Sequence, residues 1–162
     1  EGDRTPAMNE YLKLIGFFNG FTDEELDVVT GIIEVITTGD MEMVLRENED
    51  PKGLYFIVNG DFDVVKKISA NTYKRLQQLN RGDFFGEMSI LNEEKLSASV
   101  VCRSKGTLIF ISKESFNEMC IRDTRFSLKI MKELASVLAQ RLRHMNLKYG
   151  MSVAQLDSKA GI

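Results

Sequence analysis

Gly86 and Glu87 lie at the centre of the run Gly82-Asp83-Phe84-Phe85-Gly86-Glu87-Met88-Ser89-Ile90-Leu91. Two glycines, an aromatic pair and an acid stand there just before a short turn, and the alternating stretch Leu96-Ser97-Ala98-Ser99-Val100-Val101 follows after Asn92 to Lys95. Glycine permits close backbone approach, and a turn that opens a helix presents unpaired amides, so this stretch is shaped to receive a small anion. Other residues with chemical potential are poorly placed for a reaction. His144 is the only histidine and sits among Arg141, Arg143 and Lys148. Cys102 and Cys120 form no C-x-x-C pair and have no histidine near them in sequence. Nucleophilic catalysis, zinc and haem all need such groups gathered together. The acid pairs Glu24-Glu25 and Glu93-Glu94 fall at caps and turns. We therefore expect no enzyme, no metal and no resident cofactor.

The elements that must position the cassette follow from the period of the apolar residues. Tyr11, Leu12, Leu14, Ile15 and Phe18 make a helical face broken by Gly16 and Gly20. Thr22-Asp23-Glu24-Glu25 has the form of a capping box, with the hydroxyl and the glutamate three residues apart, and predicts a second helix from Asp23 to about Thr30. From Ile32 the period becomes two, giving strands at Ile33–Thr37, Met41–Leu45, Leu54–Val58, Asp61–Val65, Tyr73–Leu79, Ser97–Arg103 and Gly106–Ile111. Turn residues separate them, and Asn59-Gly60 is the sharpest hairpin signal. Short strands at this spacing predict a sandwich or barrel. Ser112 can cap a short helix through Met119, and Thr124 a long one to about Lys148.

The long helix has two apolar faces. Met131, Ala135, Leu138, Leu142, Met145 and Tyr149 alternate spacings of four and three, the seam of a coiled coil, while Ile130, Leu134 and Val137 lie beside them. One face suits the body of the domain and the other a second copy, so the seam predicts a homodimer.

Composition narrows the class further. A chain of 162 residues, 43% hydrophobic and 28% charged, is long enough for one domain with a full core. No apolar run approaches the roughly 18 to 20 residues of a membrane span. The net charge of −3 supplies no basic footprint for nucleic acid. Only 14 residues follow Lys148, too few for a helix-turn-helix domain. Sparse unpaired cysteines fit a reducing, cytoplasmic setting. The chain opens on Glu1 rather than Met, which we read as a piece of a longer polypeptide with further domains.

Three stretches in this order carry a family resemblance: Phe18-x-x-Phe21-Thr22-Asp23-Glu24-Glu25-Leu26, Leu54-Tyr55-Phe56-Ile57-Val58-Asn59-Gly60, and Gly82-Asp83-Phe84-Phe85-Gly86-Glu87. With the long closing helix, the chain from about Leu12 to Lys148 resembles the cyclic-nucleotide-binding domain family, the regulatory domains of cAMP and cGMP receptors. The resemblance implies a mainly β fold with flanking helices, a jelly-roll-like β-roll. Its parts would be a linker (1–10), a helical preface (11–30), the roll (31–111), closing helices (112–148) and a flexible tail (149–162). It also implies the ligand residues Phe85, Gly86, Glu87, Met88 and Ser89, with Glu87 accepting from the ribose 2′-hydroxyl and the amides around Ser89 meeting the cyclic phosphate. Ser97, Ala98 and Ser99 would complete the phosphate cup.

One position departs from the pattern. Nucleotide-binding members usually carry Pro-Arg ahead of the small residues, and here those two places hold Lys95 and Leu96. Lys95 is the candidate substitute cation. The resemblance thus implies a sensor that binds a cyclic nucleotide, cAMP-like and weakly, and relays it through the long helix of a larger protein. The alternative is a ligand-free module of the same fold that serves dimerisation or docking.

Overall fold

The computed structural model describes residues 5–92 and 94–159. In chain order the elements are α1 (Thr5–Lys13), a 3₁₀ turn (Gly16–Phe18), α2 (Asp23–Thr30), β1 (Ile33–Thr38), β2 (Met43–Leu45), β3 (Gly53–Asn59), β4 (Phe62–Ser69), β5 (Thr72–Leu79), β6 (Phe84–Phe85), α3 (Met88–Leu91), β7 (Ser99–Cys102), β8 (Gly106–Ser112), α4 (Lys113–Arg122) and α5 (Thr124–Lys159). The strands form two antiparallel sheets, ordered β1-β8-β3-β6 and β2-β7-β4-β5. This is the expected β-roll with flanking helices. The chain divides into two compact units at Arg122/Asp123.

β3 is the central strand of the first unit, and six of its residues in succession are buried. A strand covered on both faces reads as a continuous apolar run, as Leu54-Tyr55-Phe56-Ile57-Val58 does. On one face, Tyr55 and Ile57 join Leu45, Phe62, Leu79, Phe85, Leu96, Val100, Cys102 and Leu108 in the interior of the roll. On the other, Phe56 meets Phe17 and Phe18 of the helical preface at 5.1 and 5.0 Å between ring centroids. The preface is held in place by that aromatic cluster and by its caps. Thr22 Oγ1 accepts from the Glu25 amide at 3.2 Å while the Glu25 carboxylate accepts from the Thr22 amide at 2.8 Å, the reciprocal box the sequence predicts.

Four expectations are corrected. Asn59-Gly60 makes no hairpin: β3 and β4 belong to different sheets, and the turn carries the chain from one to the other. Gly60 has φ +93°, and a Cβ there would lie 2.7 Å from Gly106 Cα, so the glycine serves a close crossing. The hairpin is β4–β5, turning at Ala70-Asn71 with Ser69 opposite Thr72.

Residues 5–10, expected as linker, are helical. Asn9 accounts for this, accepting from Thr30 Oγ1 at 2.6 Å and donating to Asp27 Oδ1 at 2.7 Å; a polar tie leaves no apolar period to read.

The long helix is capped by Asp123, whose Oδ1 accepts from the Phe126 amide at 2.9 Å, rather than by Thr124. It also runs through 149–159, where a flexible tail was expected, because Gly150 costs a helix only about 1 kcal/mol and no proline intervenes. Residues 1–4 and 160–162 of the expected linker and tail lie outside the described residues. Within α5, Phe126, Ile130 and Leu134 are buried, whereas Leu142, Met145 and Tyr149 are exposed.

The capping box yields a direct prediction. Thr22→Ala should lower the unfolding free energy by about 1 kcal/mol. Urea denaturation would read this as a lower midpoint at unchanged slope, and an unchanged midpoint would refute a stabilising role for the cap.

Candidate functional site

The cassette begins as an edge strand. β6 pairs with β3, Phe85 opposite Tyr55 and Phe84 opposite Phe56, and two backbone bonds of 2.9 Å flank the pair: Gly82 N to Ile57 O and Ile57 N to Asp83 O. The two aromatic rings then diverge as strand alternation requires. Phe85 stacks on Tyr55 inside the roll, 5.0 Å between centroids and 5° between planes, while Phe84 packs outward on Phe17 and Phe56. Burial raises the Tyr55 phenol pKa above its ordinary value, with the Glu34 carboxylate adding to the effect, so the ring stays neutral.

Gly86 turns the chain out of β6 with φ +80°, and a Cβ there would stand 2.4 Å from Gly53 O. No L side chain fits both the dihedral and the space. The single-turn helix α3 follows. Its first residues, Glu87 and Met88, have amides with no acceptor among the described residues. Glu87 is half-buried as a residue, and its carboxylate does not cap the turn and has no hydrogen-bond or ion-pair partner among the described residues. Ser89 is fully buried, and both its amide (3.1 Å) and its hydroxyl (2.6 Å) donate to Gly86 O. Its amide is thus occupied within the turn, not presented to an anion. Phe85, Gly86, Glu87, Met88 and Ser89 form one continuous segment around that turn.

The second part of the predicted site is arranged differently. Lys95 extends to Asp50 Oδ1 at 3.6 Å, with both side chains well exposed, a pair of small energetic weight. Leu96 is held by two backbone bonds, its amide to Glu49 O at 3.0 Å and its carbonyl from Asn48 N at 2.9 Å. Asn48 takes φ +68° to make this bridge. The Leu96 side chain joins the interior cluster with Tyr55 and Phe85 and is 7% exposed. Ser97 is exposed, Ala98 half-buried and Ser99 buried. The Ser99 hydroxyl accepts from the Glu47 amide at 2.9 Å, and the Ser97 carbonyl accepts from Lys66 Nζ at 2.6 Å.

Lys66 and Glu47 were not among the sequence candidates. Each reads in sequence as an ordinary polar residue near a strand, and only the pairing of β4 with β7, Val65 opposite Ser99, brings them to the cassette. Lys66 Nζ lies 2.6 Å from Glu47 Oε1, and Glu47 Oε2 also accepts from the Lys67 amide at 3.3 Å. The Lys66 ammonium and then that amide hold the Glu47 carboxyl below the usual carboxylate range. Elsewhere, Cys102 is a core thiol that accepts from Thr38 Oγ1 at 3.1 Å.

A two-sheet roll with a helical preface, carrying a glycine-acid turn clamped to its central strand, defines a β-roll class of domain. The particular family is shown by comparison: the family model described as "Cyclic nucleotide-binding domain" matches residues 28–123, and the chain belongs to that family. Among curated relatives, a cGMP-dependent protein kinase of Caenorhabditis elegans is 23% identical over 119 residues, covering 72% of this chain and 15% of the kinase. The cyclic AMP receptor protein of Thermus thermophilus is 28% identical over 131 residues, covering 81% of this chain and 59% of that protein. The chain therefore spans only part of the length of these relatives. A cyclic nucleotide-binding domain from Methylobacillus flagellatus has the same fold, with TM-score 0.77 at 19% identity over 85% of this chain and 81% of the other.

Leu96 ties the cassette strand to the core, so Leu96→Ala should cost about 2 to 3 kcal/mol through lost burial and a residual cavity. A melting temperature within one degree of the parent's would show that the side chain is not packed as described.

Proposed function

We propose that this chain is a non-catalytic regulatory module that binds a cyclic nucleotide, cAMP-like and weakly, at the Gly86–Ser89 turn, and transmits binding through α5 to the rest of a larger cytoplasmic protein. The observation that carries this reading is the unpartnered carboxylate of Glu87 beside two amides without acceptors among the described residues. A carboxylate without a partner in the chain is free to accept from a ligand hydroxyl. A ribose hydroxyl for Glu87 and a cyclic phosphate for the amides use both kinds of group in one small molecule. Family membership supports the same ligand class. Weakness follows from Leu96, because a missing charge-assisted bond of about 1.5 to 3 kcal/mol lowers affinity by roughly one to two powers of ten.

A second reading keeps the fold and omits the ligand: a docking or dimerisation module. Its support is the same Leu96, which fills interior space with a hydrocarbon side chain. Calorimetry separates the two. Cyclic AMP or cyclic GMP should give saturable heat at high micromolar to millimolar concentration, and Glu87→Ala should weaken binding at least tenfold. Absence of heat with both nucleotides at millimolar concentration would favour the ligand-free module.

In either reading the chain pairs as a homodimer through Met131, Ala135, Leu138, Leu142 and Met145. The exposure of Leu142 (59%), Met145 (63%) and Tyr149 (74%) supports a second copy there, since the apolar row keeps its spacing of four and three down the helix. Among the described residues no helix is long and apolar enough to cross a membrane. The double variant Leu138→Glu, Leu142→Glu should convert a dimer to a monomer in light scattering, and a persisting dimer would place the interface elsewhere.

A further inference from the structure

The cassette lacks a cation at position 96, yet an ammonium stands one residue away. Lys66 Nζ donates to the carbonyl of Ser97, the residue directly after Leu96, at 2.6 Å. It arrives from β4, the strand paired with β7. An ammonium has three N–H donors. One is on Ser97 O and one on Glu47 Oε1, and the third has no partner among the described residues.

Glu47 is bound to the same place from several directions. Its carboxylate takes Lys66 and the Lys67 amide, and its own amide donates to Ser99 Oγ. Its side chain is 17% exposed, against 45% for Lys66. An anion of the chain's own is thus seated on the cation, while the backbone of the same residue occupies a hydroxyl expected to serve a phosphate. Lys95, the other basic residue near the departure, extends to Asp50 at the surface in a weak, exposed pair.

We propose that Lys66 is the phosphate-binding cation of this cassette, supplied from a neighbouring strand in place of the residue at 96, and that Glu47 is the internal anion with which an incoming phosphate competes. The inference rests on the cyclic-nucleotide reading above and specifies its anion site. It gives weak binding a different cause from a missing charge: the ligand must share or displace a pair already formed. An ammonium also contacts phosphate as a point charge, without the two-pronged geometry of a guanidinium.

The test is titration of the full 162-residue chain with cyclic AMP and cyclic GMP, parent against three variants, with thermal melts to establish folding. Lys66→Met should weaken binding at least tenfold. Glu47→Gln, which keeps an acceptor for the Lys67 amide but removes the competing charge, should tighten it about three- to tenfold. Lys95→Met should change it less than twofold. Should Lys66→Met fail to fold, Lys66→Arg keeps the charge and should bind at least as tightly as the parent, while Lys66→Gln should not. Binding by a folded Lys66→Met or Lys66→Gln chain equal to the parent's, with Glu87→Ala still weakened, would overturn the role of Lys66 and leave the cassette reading standing. No binding by the parent or by Glu47→Gln would overturn both.

Discussion

The close approach of Gly86 to the carbonyl of Gly53 is the constraint on which the rest of the site depends. A Cβ at residue 86 would lie 2.4 Å from that oxygen, and one at residue 53 would lie 2.2 Å from Ile111 O, so three backbone segments meet where no side chain can intervene. With β6 clamped to β3 in this way, Phe85 has to face Tyr55 and Phe84 has to face the preface. The position of Glu87 is then set by one dihedral of positive sign and not by its own contacts. A residue whose place is fixed by its neighbours' backbone is free to leave its side chain unpaired, and the Glu87 carboxylate is unpaired among the described residues.

The cassette divides into a contiguous side and an assembled side. Glu87 and the amides of the α3 turn lie in one continuous stretch of chain, and that contiguity was legible in sequence because Gly86 and Glu87 adjoin, with Ser89 two residues on. The other side is assembled from separate segments, with Lys66 on β4, Glu47 after β2, Ser97 ahead of β7 and Ser99 at its start. No local pattern announces such a cluster, since a lysine at one strand position and a glutamate nineteen residues earlier have no spacing rule in common. Only sheet order and register join them.

The same distinction runs through the fold. The capping box, the buried aromatic-rich β3 and the change of period at Ile32 are local chemistry, and each was readable. The hairpin signal at Asn59-Gly60 was misleading for a physical reason: positive φ at Gly60 serves a tight crossing against Gly106 as well as it serves a two-residue turn, and the dipeptide does not say which sheet the next strand joins. Helix α1 was missed over residues 5–10 because Asn9, Asp27 and Thr30 tie it down through polar atoms. The extension of α5 to Lys159 was missed because small and polar residues read as tail when nothing in the sequence stops a helix.

The two halves of α5 place different demands on any relay. Its first turns bury Phe126, Ile130 and Leu134, while from Leu142 onward the apolar residues are exposed. A ligand shifts such an element only by the difference in its affinity for two helix positions, however tightly it binds either one. In the proposed arrangement a phosphate competing with Glu47 for Lys66 alters contacts among β4, β7 and the chain after β2, whereas a ribose hydroxyl completing Glu87 alters none already made. The rearrangement that binding requires would then come from the phosphate and not from the sugar. Exchanging one cyclic nucleotide for another would leave both contacts in place, since ribose and cyclic phosphate are the parts that all of them share and only the base differs.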